Sequence, residues 1–141
     1  MTEIKKIKIL FVEDESLLRS LFSEVLDLDT EFQYDISSAA NLTAGLEAVE
    51  SNKPDIVILD LILPLNGEYI LSSERGMAFI EKVKNNPSLK DIPIIVFSNL
   101  DDPETKKKAF DLGAESYLVK SESLPQTFLT ALKNTIKRFL I

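Results

Sequence analysis

Neither histidine nor cysteine occurs among the 141 residues. Without imidazole there are no histidine general bases, His-ligated zinc sites or Ser-His-Asp triads. Without thiols there are no disulfides or thiolate metal sites, and no marker of redox compartment. No apolar run approaches the ~20 residues needed to span a bilayer. The basic opening, MTEIKKIKIL, does not read as a signal peptide: its apolar run is short, ends in acids and has no small-residue cleavage site after it. Cationic surplus is lacking too. A net charge of −7 argues against nucleic acid or an anionic membrane as the main partner. Repeats, low-complexity tracts and linkers are not seen. The 45% hydrophobic content is enough for one core. The expectation is a single cytoplasmic domain over residues 1–141.

What is present begins with the stretch ILFVEDE, residues 9–15, where an apolar run meets three acids. Two carboxylates about 4 Å apart repel by roughly 4 kcal/mol at an effective dielectric near 20. Either these side chains splay into water or a cation sits among them. Similar apolar runs occur at Ile56 to Leu59, followed by Asp60, and at Ile94 to Phe97, followed by Ser98. All three are β-branched and nearly continuous, the pattern of strands buried on both faces of a parallel sheet. Tyr34 to Ser38 and Ser116 to Val119 are weaker strand candidates.

Helical spacing appears between these runs. Leu17, Leu18, Leu21, Phe22, Val25 and Leu28 form one apolar stripe. Leu42, Leu46 and Val49 form a second behind Asn41, an expected N-cap. Met77, Phe79, Ile80 and Val83 mark a third, stopped by Asn85-Asn86-Pro87. A fourth starts with Pro103 and ends before Gly113. The fifth begins near Leu124-Pro125 and carries Phe128, Leu132 and Ile136 on one face. Alternating strands and helices predict crossover connections and a doubly wound α/β sandwich.

In such a sheet, ligands sit at the carboxyl ends of the strands. Glu13 and Asp14 follow the first run, Asp60 the third strand, Ser98 the fourth and Lys120 the fifth. A divalent cation among the acids answers the crowding in ILFVEDE. Oxygen donors without histidine or cysteine favour Mg²⁺ over zinc. Lys120 adds a mobile positive charge suited to a phosphoryl group, and Ser98 a hydrogen bond. Taken singly, each residue has a plainer reading. The acids could charge a helix start, Ser98 could cap a turn, Lys120 could be a solvated lysine and Tyr117 ordinary core.

The segments ILFVEDE, PDIVILDLILP, IPIIVFSN and GAESYLVK, in this order, resemble the receiver domain of two-component response regulators, of the stand-alone chemotaxis-regulator type. The resemblance covers nearly the whole chain. It implies a flavodoxin-like three-layer sandwich, with a five-stranded parallel sheet in the order 2-1-3-4-5 and five helices. It implies that Asp60 is the phosphoacceptor, taking its phosphoryl group from a sensor histidine kinase or phosphotransfer protein. It further implies that Asp14, Asp60 and the backbone carbonyl of Ile62 bind Mg²⁺, with Glu13 acting through water. Ser98 and Lys120 would hold phosphoryl oxygens, and Tyr117 falls at the family's aromatic switch position. The donor imidazole would belong to the partner, which fits a chain without histidine.

Three features depart from that pattern. An insertion of about eight residues is read within Leu65 to Arg75, beside the site. Ser121 stands where the family usually has proline, so a trans bond is expected between Lys120 and Ser121, since cis before a non-proline residue costs about 3–4 kcal/mol. Ile62 and Leu100, two positions beyond Asp60 and Ser98, are apolar where the family borders the path of attacking water, and Asn99 replaces the usual small residue. Slow hydrolysis of an aspartyl phosphate is the expectation. The run Lys106-Lys107-Lys108 reads as the wet face of the fourth helix, and Phe139-Leu140-Ile141 as an apolar ending of open purpose.

Other readings stand beside this one. Phosphatases of the haloacid dehalogenase type also attack phosphate from an aspartate, but use a second Asp two residues on, where this chain has Ile62. An unphosphorylated pseudo-receiver serving as an interaction module is another, and the receiver portion of a larger regulator a third. The expected output is a downstream protein target, without direct nucleic-acid or membrane contact. The chain is expected not to be an enzyme beyond slow self-catalysed phosphorylation and dephosphorylation.

Overall fold

The computed structural model describes residues 5–13, 16–64, 72–123 and 125–141. Strands β1 (Lys6–Val12), β2 (Gln33–Ala39), β3 (Ile56–Leu59), β4 (Ile94–Ser98) and β5 (Ser116–Val119) form one sheet ordered β2-β1-β3-β4-β5. Every pairing is parallel. Helices α1 (Ser16–Asp27), α2 (Leu42–Asn52), α3 (Glu74–Lys84), α4 (Pro103–Leu112) and α5 (Pro125–Phe139) alternate with the strands, and a 3₁₀ turn spans Lys120–Glu122. This is the flavodoxin-like doubly wound sandwich that the alternation and the resemblance predicted.

Two apolar layers explain why the strands are continuous in hydrophobicity. Ile9 and Phe11, Ile56 and Ile58, Ile95 and Phe97 face one side, against Phe22, Phe128, Leu132 and Ile136. Leu10 and Val12, Val57 and Leu59, Ile94 and Val96 face the other, against Val49, Phe79 and Ile80. Side chains alternate along a strand, so a strand covered on both faces must be apolar at every position. Edge strand β2, QYDISSA, keeps only Ala39 buried, which is why its signal in the sequence is weak.

Local chemistry sets the helix ends as expected. Asn41 accepts the N–H of Ala44 at 2.8 Å, capping α2. Asp102 does the same for Thr105 at 3.0 Å, with Pro103 opening α4. Gly113 closes α4 with φ +118°, the left-handed region that favours glycine. One expectation fails. Leu28 lies past the end of α1 and is 82% exposed, so the stripe stops short of it. The chain leaves the helix at Asp27, and Leu28 turns away from the core that holds Phe22 and Leu26. Among the described residues no peptide bond is cis, in line with a trans Lys120–Ser121 bond.

Candidate functional site

Register brings the polar residues together. Val12 stands opposite Leu59, Leu59 opposite Val96, and Ser98 opposite Val119. The residues just beyond those strands therefore emerge at one edge. The Asp60 N–H donates to the Val12 carbonyl at 2.9 Å, and the Glu13 N–H to the Ala39 carbonyl at 2.9 Å. Both acids are thus fixed as last rungs of the ladder, not carried on free loops.

Their side chains are almost out of water, with Glu13 4% and Asp60 6% exposed. Lys120 serves both: its Nζ lies 2.8 Å from Glu13 Oε2 and 3.0 Å from Asp60 Oδ2. Asp60 Oδ1 accepts the N–H of Ile62 at 3.1 Å. Burial by itself would lower the pKa of the Lys120 ammonium. The hydrogen bond to Glu13 and the charge of Asp60 outweigh it and hold the group above the ordinary lysine value. Lys120 thus meets two buried carboxylates at once.

Ser98, fully buried at the end of β4, accepts the N–H of Leu100 at 3.3 Å. The Tyr117 hydroxyl donates to the carbonyl of that same Leu100 at 2.6 Å. Burial pushes the Tyr117 phenol up in pKa. Lys106 stands 6.0 Å from the centre of the Tyr117 ring and pairs with Asp101 at 2.5 Å. Of the run expected to form the wet face, Lys107 and Lys108 are exposed, whereas Lys106 is half-buried.

Of the predicted site residues, the structure brings Glu13, Asp60, Ile62 and Lys120 into one bonded cluster, and links Ser98 to Tyr117 through Leu100. Asp14 lies outside the described residues, as does 65–71 of the expected insertion. Sequence reasoning missed the direct pairing of Glu13 with Lys120, because no local signal tells which of several acids a distant lysine will choose. It also missed Asp29, whose carboxylate receives Tyr34 Oη at 2.5 Å and Lys133 Nζ at 2.8 Å.

Among the described residues no three acids gather as a metal-binding group. Glu13 and Asp60 still suit a hard divalent ion: they are buried carboxylates, oxygen donors only.

Comparison with known proteins agrees with this fold. The profile of the response regulator receiver domain matches residues 9–133, so the chain belongs to that family, the signalling receivers of two-component systems. The transcriptional regulatory protein KdpE of Staphylococcus aureus is 33% identical over 113 residues, 80% of this chain and 43% of KdpE. Protein-glutamate methylesterase/protein-glutamine glutaminase 3 of Burkholderia lata is 29% identical over 122 residues, 85% of this chain and 30% of that protein. The chain thus spans less than half the length of either relative. Among solved structures, a response regulator of Chloroflexus aurantiacus aligns with a TM-score of 0.79 at 28% identity, over 95% of this chain and all of that one. The phosphorylated cyanobacterial phytochrome response regulator RcpA aligns with a TM-score of 0.75 at 25% identity, over 96% of this chain and 94% of RcpA.

Proposed function

We propose that residues 1–141 act as one receiver domain, a cytoplasmic single-domain response regulator switched by phosphate on Asp60. A carboxylate oxygen of Asp60 attacks the phosphorus of a phosphohistidine on a sensor histidine kinase or phosphotransfer protein. The new P–O bond forms as the P–N bond breaks, and the electron pair stays with the departing imidazole. The observation that carries this reading is a buried carboxylate held at both oxygens, by the Ile62 N–H and by Lys120, at the carboxyl edge of the sheet. Lys120 would meet the added negative charge on the phosphoryl oxygens, and the Ser98 hydroxyl would turn to one of them.

Asp14, Asp60 and the Ile62 carbonyl would hold Mg²⁺ directly, with Glu13 acting through water. When bound, the ion supplies the positive charge that lets an anionic nucleophile approach phosphate. The phosphorylated state of the relative RcpA supports the same chemistry here.

The output is a change of surface. If Ser98 releases the Leu100 N–H in favour of phosphate, the residue to which Tyr117 is tied loses one of its two anchors. Tyr117 then shifts, and the face made by α4, β5 and α5 presents a different shape to a downstream protein. This is a shift between two populations of one surface. No direct nucleic-acid or membrane contact is part of the reading. The test is incubation with Mg²⁺ and acetyl phosphate, followed by intact mass. The expected result is the gain of one phosphoryl group that Asp60→Asn abolishes; a gain retained in Asp60→Asn overturns the reading.

A further inference from the structure

Helix α3 starts without a side-chain hydrogen bond from its N-cap residue, Ser73. The Glu74 N–H goes to Ser72 Oγ at 3.2 Å, and the Gly76 N–H donates to the Leu61 carbonyl at 3.1 Å. First-turn N–H groups lack partners within their own helix. Here one of them is satisfied by the main chain immediately after Asp60.

The same peptide unit that accepts from Gly76 donates to the acceptor carboxylate. Its carbonyl belongs to Leu61, and its N–H is that of Ile62, 3.1 Å from Asp60 Oδ1. A continuous run of hydrogen bonds therefore leads from Gly76 through one rigid peptide plane to Asp60. Only glycine permits this approach. A Cβ at position 76 would fall 2.3 Å from the Leu61 Cα, 2.6 Å from its oxygen and 2.8 Å from its carbonyl carbon. All three atoms are backbone, in a residue with no exposed surface, so no rotamer change relieves the overlap. At Gly45, by contrast, the nearest obstacle is a methyl of the Val12 side chain, at 2.9 Å.

We infer that Gly76 is a positioning residue for the phosphoacceptor, setting the Leu61–Ile62 peptide that orients the Asp60 carboxylate and leads into the Ile62 carbonyl. The inference rests on the role proposed above for Asp60. Turning that peptide plane takes the N–H away from Oδ1 and moves the Ile62 carbonyl with it. Phosphoryl transfer and Mg²⁺ binding then suffer together. A displacement near 1 Å costs on the order of 10²-fold in rate.

The test uses the full chain. Gly76→Ala is labelled by acetyl phosphate over a range of Mg²⁺ concentrations, and Mg²⁺ affinity is read separately by calorimetric titration. Gly113→Ala, strained at φ +118° against Lys84, serves as a destabilising change away from Asp60. Gly76→Ala is expected to lose about 10- to 100-fold in rate at saturating Mg²⁺ and to bind Mg²⁺ more weakly. Gly113→Ala is expected to lose stability alone. A folded Gly76→Ala with wild-type rate and affinity overturns the inference. Should that variant not fold, Mg²⁺ titration of the labelled wild type by NMR decides. The Gly76 amide resonance must then move with the same midpoint as that of Ile62, and a stationary Gly76 amide overturns the inference. A wild type that takes no phosphoryl group sinks the Asp60 reading and this inference with it. A phosphorylated wild type beside an unimpaired Gly76→Ala sinks the inference alone.

Discussion

The Lys120 ammonium lies nearer to Glu13, at 2.8 Å, than to Asp60, at 3.0 Å. A single cation is therefore shared between the expected phosphoacceptor and the acid at the end of β1. All three side chains are nearly closed to water. Removing the cation takes an ion-pair partner from both buried carboxylates, and breaking a buried pair in this way costs about 3–5 kcal/mol. Lys120→Met should lower unfolding free energy by about 3 kcal/mol in metal-free buffer, with part of the loss recovered on adding Mg²⁺. Denaturant titration with and without the ion measures both. Unchanged stability would mean that water already screens the acids.

Neither Ile62 nor Leu100 can hold a water molecule by its side chain, so phosphate on Asp60 should be long-lived. Leu100→Glu places a proton acceptor within the loop after β4. It should speed loss of phosphate by up to about 10²-fold, the lower end of what a positioned base supplies. The decay of phosphorylated protein, followed by intact mass, gives the rate. An unchanged rate argues against these two positions as the brake.

Asp29 ties the corner between α1 and β2 to α5. Burial would raise its pKa, but hydrogen bonds from Lys133 and Tyr34 outweigh this and hold it below the usual 3.8. A carboxyl depressed in the folded state contributes stability that is full above its unfolded value. That contribution is lost as pH falls through the folded value. Unfolding free energy should therefore drop as the pH falls below the ordinary carboxylate range, and Asp29→Asn should flatten the profile there. Equal slopes for variant and wild type would exclude this network as a source of acid sensitivity.

Phe128 has no exposed surface and meets Phe22 at 4.4 Å, Phe97 at 5.8 Å and Phe11 at 6.1 Å between ring centres. These rings join α5 to α1, β1 and β4. Phe128→Ala should cost about 4 kcal/mol, large beside the 5–15 kcal/mol of a typical domain. Chemical denaturation measures it; a loss under about 1 kcal/mol would mean that α5 repacks around the cavity.

Much of the molecule was legible in advance. Ile56 to Leu59 read as a doubly buried strand because each of its side chains had to be apolar, and the structure buries all of them. The start of α4 at Pro103 and its end before Gly113 followed from backbone chemistry that acts within a few residues. Edge strand β2 was faint because water on its flank relaxes the demand for apolar residues. Leu28 misled because periodicity continues in the letters after the helix has stopped.

The sequence by itself determined the order of strands and helices and the arrival of Glu13, Asp60, Ser98 and Lys120 at strand ends, since burial and helix propensity are local or periodic demands. Only the tertiary structure decided which acids share Lys120, that Ser98 and Tyr117 grip opposite ends of Leu100, and that Gly76 lies against the residue after Asp60. Those choices depend on register and close approach between segments far apart in the chain, and hydrogen bonds and steric overlap are settled within tenths of an ångström, finer than any pattern of residue types records.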